Sequence, residues 1–368
     1  MTQQDNARRR IAAGIGRPLL AIALALSIGL VIIRIAGEDP IESYKALIGG
    51  AFVGRSSIEN TLVRSIPVIA SGLAVAVAFA CGMFNMGVEG QLYLGAFAAV
   101  WVGFTIKGLP PVLHVLLSMG LAAVVGAAWA YLPAVARIKW GTSEIVTTMM
   151  LNYVAQYFTS YLVSFPFKEP GDLQQTPAIF RSAELYELSA ASRLHVGLFL
   201  VVVFAVVATF LLKRTALGYE IRMTGLSPSV SRCSGISTDR TAIRAMLISG
   251  AIGGLAGAIE ILGVHHRFIN NFSPGYGWDG LAVSLLAKGN PLGILLAGVF
   301  YGGLQSGANI MEFATDVPKQ LVDSLRAIII LFVAADFTGL KIFKRKPKLP
   351  SGSAQSHRKE VKTCGRSV

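Results

Sequence analysis

Roughly ten stretches of this chain are long and apolar enough to cross a lipid bilayer, which takes about 20 consecutive apolar residues in a helix. They lie near 18–36, 65–83, 88–106, 112–136, 145–166, 194–212, 243–264, 276–289, 292–308 and 318–338. Of the 368 residues, 53% are hydrophobic and only 14% charged, where a soluble domain carries roughly 25% charged residues. The sequence therefore predicts an all-α polytopic membrane protein. Its 39 glycines agree, because small residues let membrane helices approach closely. The eighth stretch is short. The tenth carries Asp323 and Arg326 on one helix face, where they can pair.

The net charge of +13 is placed where topology needs it. Arg8, Arg9, Arg10 and Arg17 precede the first span, and Lys341, Lys344, Arg345, Lys346 and Lys348 follow the last. Cytoplasmic segments are the ones enriched in Lys and Arg. Both termini are thus expected in the cytoplasm, as an even number of spans requires. Arg137, Lys139, Lys213, Arg214, Arg222, Arg232 and Arg240 then fall on the same side, and the loops 37–64 and 166–193 fall outside. This basic charge reads as a topology signal facing anionic lipid headgroups, not as a nucleic-acid surface. The first apolar segment lacks a small-residue cleavage site and is read as a retained span. The division is a basic N-terminus at 1–17, a transmembrane domain at 18–338, and a basic, Ser- and Pro-containing tail at 339–368 that is expected to be disordered.

Cys81, Cys233 and Cys364 are far apart and give neither a metal motif nor a disulfide frame. His265 and His266 are adjacent, so on a helix they point different ways and make a poor metal pair. There is no G-x-x-x-x-G-K-[ST] phosphate loop and no H-E-x-x-H. The chain does not read as an enzyme.

One carboxylate sits in the oily stretch CGMFNMGVEGQLYLGAFAAV, at Glu89. A second stretch, SPGYGWDGLAVSLLA, matches it: Gly87-Val88-Glu89-Gly90 aligns with Gly277-Trp278-Asp279-Gly280. Each motif opens a new apolar segment, and the two are an odd number of spans apart. Two such copies are inverted in the membrane, with halves at about 65–166 and 243–338 and a broken helix in each. Inverted repeats with a path between them are a transporter signature. The acids themselves have two readings. They cap the first turn of a helix, or they face a water-filled path.

The segment 213–242 is too polar to span and too patterned for a linker. Leu217, Ile221 and Leu226 suit a short amphipathic helix, and Ser227-Pro228 can start another. It reads as a cytoplasmic docking element.

At these residues the chain resembles the permease subunits of ABC importers for simple sugars and nucleosides. GMFNMGVEGQLYLGAFAA resembles that family's FN-[IM]-G-x-EGQ signature, and SEIVTTMMLNYVAQYFTSYLV resembles its E-[IV]-[IV]-x-T-[IM]-M-LNY segment. ALGYEIRMTGLSPSVSRCSGI resembles its coupling region, and GWDGLAVSLLAKGNPLGILLAGVFYGGL its second-half core. The EGQ and LNY forms look most like the nucleoside branch. The resemblance implies a pore made by two related permeases, hetero- or homodimeric, in a bacterial plasma membrane. Beneath them sits a cytoplasmic ABC ATPase that carries ATP and Mg²⁺, and an extracytoplasmic binding protein delivers substrate. No cofactor is expected on this chain. Gly218, Tyr219, Arg222 and Gly225 are the expected ATPase-coupling residues. The expected path residues are Asn85, Glu89, Gln91, Asn152, Tyr153, Glu260, Trp278 and Asp279. Amides offer donors and acceptors to hydroxyls or base edges, aromatic rings stack, and Glu260 is an acid in an apolar span that needs a partner or water. A permease for ribose or galactose remains the nearest alternative, and an ion-coupled secondary transporter, with the buried acids as coupling sites, the alternative of another class.

Overall fold

The computed structural model describes residues 39–189 and 192–315 continuously, together with 27–31, 33–35, 37, 323, 324, 327 and 328. The basic N-terminus 1–17, most of the spans at 18–36 and 318–338, Arg326 and the tail 339–368 lie outside the described residues.

The regular structure of the described chain is helical apart from a two-strand ribbon, β1 (Glu187–Ser189) and β2 (Leu194–His195). The helices are α1 (Pro40–Phe52), α2 (Arg55–Ala80), α3 (Val88–Thr105), α4 (Pro111–Trp140), α5 (Glu144–Ser164), α6 (Gly197–Arg214), α7 (Ala216–Leu226), α8 (Pro228–Cys233), α9 (Thr238–Glu260), α10 (Tyr276–Leu286) and α11 (Pro291–Ala314). A π-helical turn, Ile261–His265, continues α9. This is the all-α polytopic membrane fold that the apolar segments predict. Among the described residues, five helices are long and apolar enough to span: α2, α4, α6, α9 with its π turn, and α11. The expected spans at 88–106 and 145–166 are present as α3 and α5, but both carry polar side chains, Glu89 and Gln91 in one and Asn152 and Gln156 in the other. The eighth is only the 11-residue α10.

Two boundaries differ from expectation. The segment 37–64 is not a loop. Asp39 caps α1, its Oδ1 accepting from the Ile41 N–H at 2.8 Å, with Pro40 in the first turn. Gly54, at φ 97, then turns the chain into α2, ten residues earlier than the apolar run begins. The segment 213–242 is shorter than read, because its last residues, Thr238 onward, already belong to α9.

α9 is the centre of the bundle and packs on α2, α3 and α4. Its glycines explain the contact. A methyl group at Gly254 would collide with the Ala122 carbonyl of α4, one at Gly257 with the Leu92 carbonyl of α3, and one at Gly250 with Gly126. Backbones come this close only where at least one helix lacks a side chain at the contact, which is the usual way to hold helices together where burial from water contributes little. Around this seam the apolar core is mostly Ala, Val, Ile and Leu.

The two ends of the bundle are distinct. At one end α7 and α8 form a hairpin. Gly225 of α7 sits against the last turn of α2, where a Cβ would meet the Ala80 carbonyl. At the other end the segment 166–195 is stitched to the end of α9. Thr176 N–H donates to the Phe268 carbonyl at 3.0 Å, Ile179 N–H to His266 at 2.9 Å, and Leu185 N–H to Leu262 at 2.9 Å. The 23 residues of α9 separate these ends by about 34 Å at 1.5 Å per residue, roughly a hydrocarbon thickness.

Candidate functional site

The chain leaves helical geometry at Ala80 and regains it at Val88, and the residues between, including Cys81, Met83, Asn85 and Gly87, are largely buried. Irregular backbone at depth is tolerated only if its polar groups find partners within the protein. The sequence supplies them. Asn85 Oδ1 accepts from the Gly87 N–H at 3.0 Å, and its amide pairs reciprocally with Gln91 at 3.1 Å. Asn85 Nδ2 also donates to Ser249 Oγ of α9 at 2.8 Å, and the Ser249 hydroxyl donates to the Ala74 carbonyl at 2.6 Å. Asn152, from α5, donates to the Met86 carbonyl and accepts from the Gly90 N–H, both at 2.8 Å. Asn85, Glu89, Gln91 and Asn152, expected to share a path, are thus one buried polar cluster around the start of α3.

The second break runs from His266 to Gly275, and α10 begins at Tyr276. Its start meets the start of α3. The Gly277 N–H donates to Glu89 Oε2 at 2.5 Å, and Gly277 lies directly on the Glu89 backbone. From there α3 runs toward Gly103, whose carbonyl accepts from Phe180 N–H at the stitched end. α10 runs the other way, ending beside Phe79 and Ala80 at the hairpin end. The two acidic motifs therefore open two antiparallel helices that meet near the middle of α9, which is the relation an inverted repeat predicts. One carboxylate, in the first turn of α3 and bonded to the first turn of α10, faces the positive ends of both helix dipoles. Asp279 sits two positions beyond Gly277 in α10, its Oδ1 accepting from the Tyr301 hydroxyl of α11.

Glu260 lies elsewhere, at the end of α9. It lines a cavity of about 420 Å³ between α2, the ribbon and the 271–276 segment. Glu260 Oε1 accepts from the Tyr276 hydroxyl at 3.3 Å and lies 3.5 Å from His265 Nε2. Arg64 and Asn60 of α2 line the same space. Pro67 of α2 has no N–H to give the Val63 carbonyl, one turn earlier, and Val63 is also on this wall. Arg64, Asn60, His265 and Tyr276 were not singled out as path residues from sequence. Asn60 and Arg64 precede Glu260 by 200 and 196 residues, so no local spacing encodes that they share its cavity.

The remaining expected path residues face outward. Tyr153 of α5 is 50% exposed, in one row with Tyr157 and Tyr161, and Trp278 of α10 is 37% exposed. In the hairpin, Thr215 caps α7 by accepting from Gly218 N–H at 3.0 Å, and Ser227 caps α8 by accepting from Val230 N–H at 3.4 Å. Gly218 is pressed against Leu211 and Leu212 of α6, so it fixes how the hairpin seats. Ile221 is buried, while Tyr219, Arg222 and Leu226 are exposed at positions that share a face. Leu226, expected on the packed face, is 82% exposed because α7 ends there.

Residues 57–334 match the family described as branched-chain amino acid transport system, permease component. The guanosine ABC transporter permease of Bacillus subtilis is 38% identical over 324 residues, covering 87% of this chain and 93% of that one. The glucose ABC transporter permease of Haloferax volcanii is 35% identical, covering 93% and 92%. The nucleoside ABC transporter permease of Lactococcus lactis is 32% identical, covering 94% and 97%. No solved structure matches the chain.

Proposed function

The chain belongs to the family of branched-chain amino acid transport system permease components, and from that membership we propose that it is the membrane subunit of an ATP-driven ABC importer that carries nucleosides. The observation that carries the substrate class is the 38% identity to a guanosine permease through 87% of the chain, with a second nucleoside permease at 32%. The glucose permease relative keeps a monosaccharide as the second reading.

In this reading ATP and Mg²⁺ belong to a separate ATPase chain. The α7–α8 hairpin is its docking element. Gly218 and Gly225 seat the hairpin on α6 and α2, and Tyr219, Arg222 and Leu226 are left outward for the partner. Movement of the docked ATPase then reaches α2 through Gly225 and Ala80, one short break away from the buried start of α3. A second permease covers the tyrosine row of α5. Phenol hydroxyls pointing into hydrocarbon would lack partners, whereas an aqueous path between two subunits supplies them. Tyr153 and Trp278 present ring faces to that path. Asn85, Glu89, Gln91 and Asn152 form its buried backing, with the half-buried Asp279 beside them, and Glu260 stands at its outer end. A binding protein delivers substrate to the stitched end, outside the plasma membrane, while the hairpin and both termini are cytoplasmic.

Uptake of radiolabelled guanosine, uridine and ribose in cells with and without the gene tests this. Nucleoside uptake that requires the gene and survives a protonophore is expected. Gene-dependent ribose uptake alone would transfer the account to sugars, and uptake lost with the proton gradient at constant ATP would overturn the ABC mechanism.

A further inference from the structure

The cavity at the end of α9 holds an acceptor that the protein leaves unused. Glu260 is 3% exposed, and its Oε1 takes the Tyr276 hydroxyl at 3.3 Å. Its Oε2 has no hydrogen-bond partner among the described residues. Leaving a buried carboxylate oxygen without a donor is costly, so the site is incomplete without something that donates. The space beside it, about 420 Å³, falls in the range of small-molecule sites, roughly 300–1,000 Å³. Arg64 brings a guanidinium to the same cavity, a planar fork of donors, and Phe272 and Tyr276 bring aromatic surface.

An acceptor and a donor fork in one cavity recognise a ligand that offers the reverse pair. We propose that this cavity is a nucleobase site selecting bases with a lactam edge, a ring N–H beside a carbonyl oxygen, in which the Glu260 carboxylate accepts from the N–H and Arg64 donates to the carbonyl. Guanine, hypoxanthine and uracil carry that edge. Adenine and cytosine present a lone pair at the corresponding ring nitrogen, which a carboxylate repels. Discrimination of this kind is strong, because the wrong base leaves buried polar groups unpaired. The inference rests on the reading of the chain as a nucleoside permease.

The test is equilibrium binding of radiolabelled guanosine, uridine, adenosine and cytidine to the purified transporter complex in lipid nanodiscs, without the binding protein. Guanosine and uridine are expected to bind at least about tenfold more tightly than adenosine and cytidine, the equivalent of one charge-assisted hydrogen bond. Glu260→Gln, whose amide also donates, should bring that ratio close to one with thermal stability retained. Arg64→Met should lower it as well, and carries the test if the first variant does not assemble. Equal binding of all four by the wild type, no binding of any, or a ratio that survives both variants overturns the assignment. ATP-dependent nucleoside uptake is measured alongside. If it persists while the ratio is flat, only the cavity assignment fails. If it is missing from the wild type, the nucleoside reading fails.

Discussion

The Gly277 N–H donates to Glu89 Oε2 across 2.5 Å, joining two helix starts that are 188 residues apart in the chain. This bond ties the start of α10 to the start of α3. A Cβ at Gly277 would lie 2.5 Å from Glu89 N and 2.7 Å from Glu89 Cα, and backbone atoms cannot step aside. Gly277→Ala is therefore expected to push α10 off α3, destabilise the protein by about 1–3 kcal/mol and reduce transport. Thermal unfolding of the detergent-solubilised protein reads the first effect. An unchanged midpoint would mean that the helix starts are not in contact.

The glycine seam of α9 makes a paired prediction. Gly254→Ala places a methyl group against the Ala122 carbonyl and should lower the thermal midpoint and the yield of folded protein. Gly120→Ala, in α4, has nothing within 4 Å of the new methyl and should be neutral or stabilising by about 0.5–1 kcal/mol. Equal effects of the two would argue against close helix approach as the role of Gly254.

Asn152 braces the break before α3 with two hydrogen bonds, to the Met86 carbonyl and from the Gly90 N–H. Asn152→Leu removes both and leaves buried backbone groups unpaired, which costs about 1–3 kcal/mol for each. Asn152→Gln keeps an amide that can both donate and accept, so it should be the milder variant in a stability series. The reverse order would contradict the bonding described.

Arg222→Glu puts the wrong sign on an exposed face of α7. Membrane insertion and thermal stability should stay as in the wild type, while co-purification of the ATPase and uptake both fall, by about tenfold or more where the charge is paired at the interface. Normal assembly and uptake in this variant would remove Arg222 from the coupling face.

Much of this architecture is legible in sequence because membrane helices announce themselves. The starts of α3 and α10 were expected at Val88 and Tyr276 and lie there, since an apolar run opened by a glycine-rich acidic motif is a local signal. The caps of the hairpin helices, Thr215 and Ser227, are local as well. α1 escaped notice because its 13 residues are too few to span and too mixed to stand out, although Asp39-Pro40 marks its start. The glycines of α9 could be read as small-residue spacing, but their partners Gly126 and Ala122 could not. The cavity was illegible for the same reason. Glu260 stood out as an acid in an apolar span, whereas Arg64 and Asn60 look like ordinary residues before α2 enters its apolar run.

The most direct measurement is transport in proteoliposomes containing the purified permease complex and its ATPase, with the binding protein loaded with labelled guanosine on one side and ATP with Mg²⁺ on the other. Guanosine accumulation that needs ATP hydrolysis and the binding protein, and is unaffected by collapsing ion gradients, is the predicted result. Accumulation driven by an ion gradient without ATP would contradict the account.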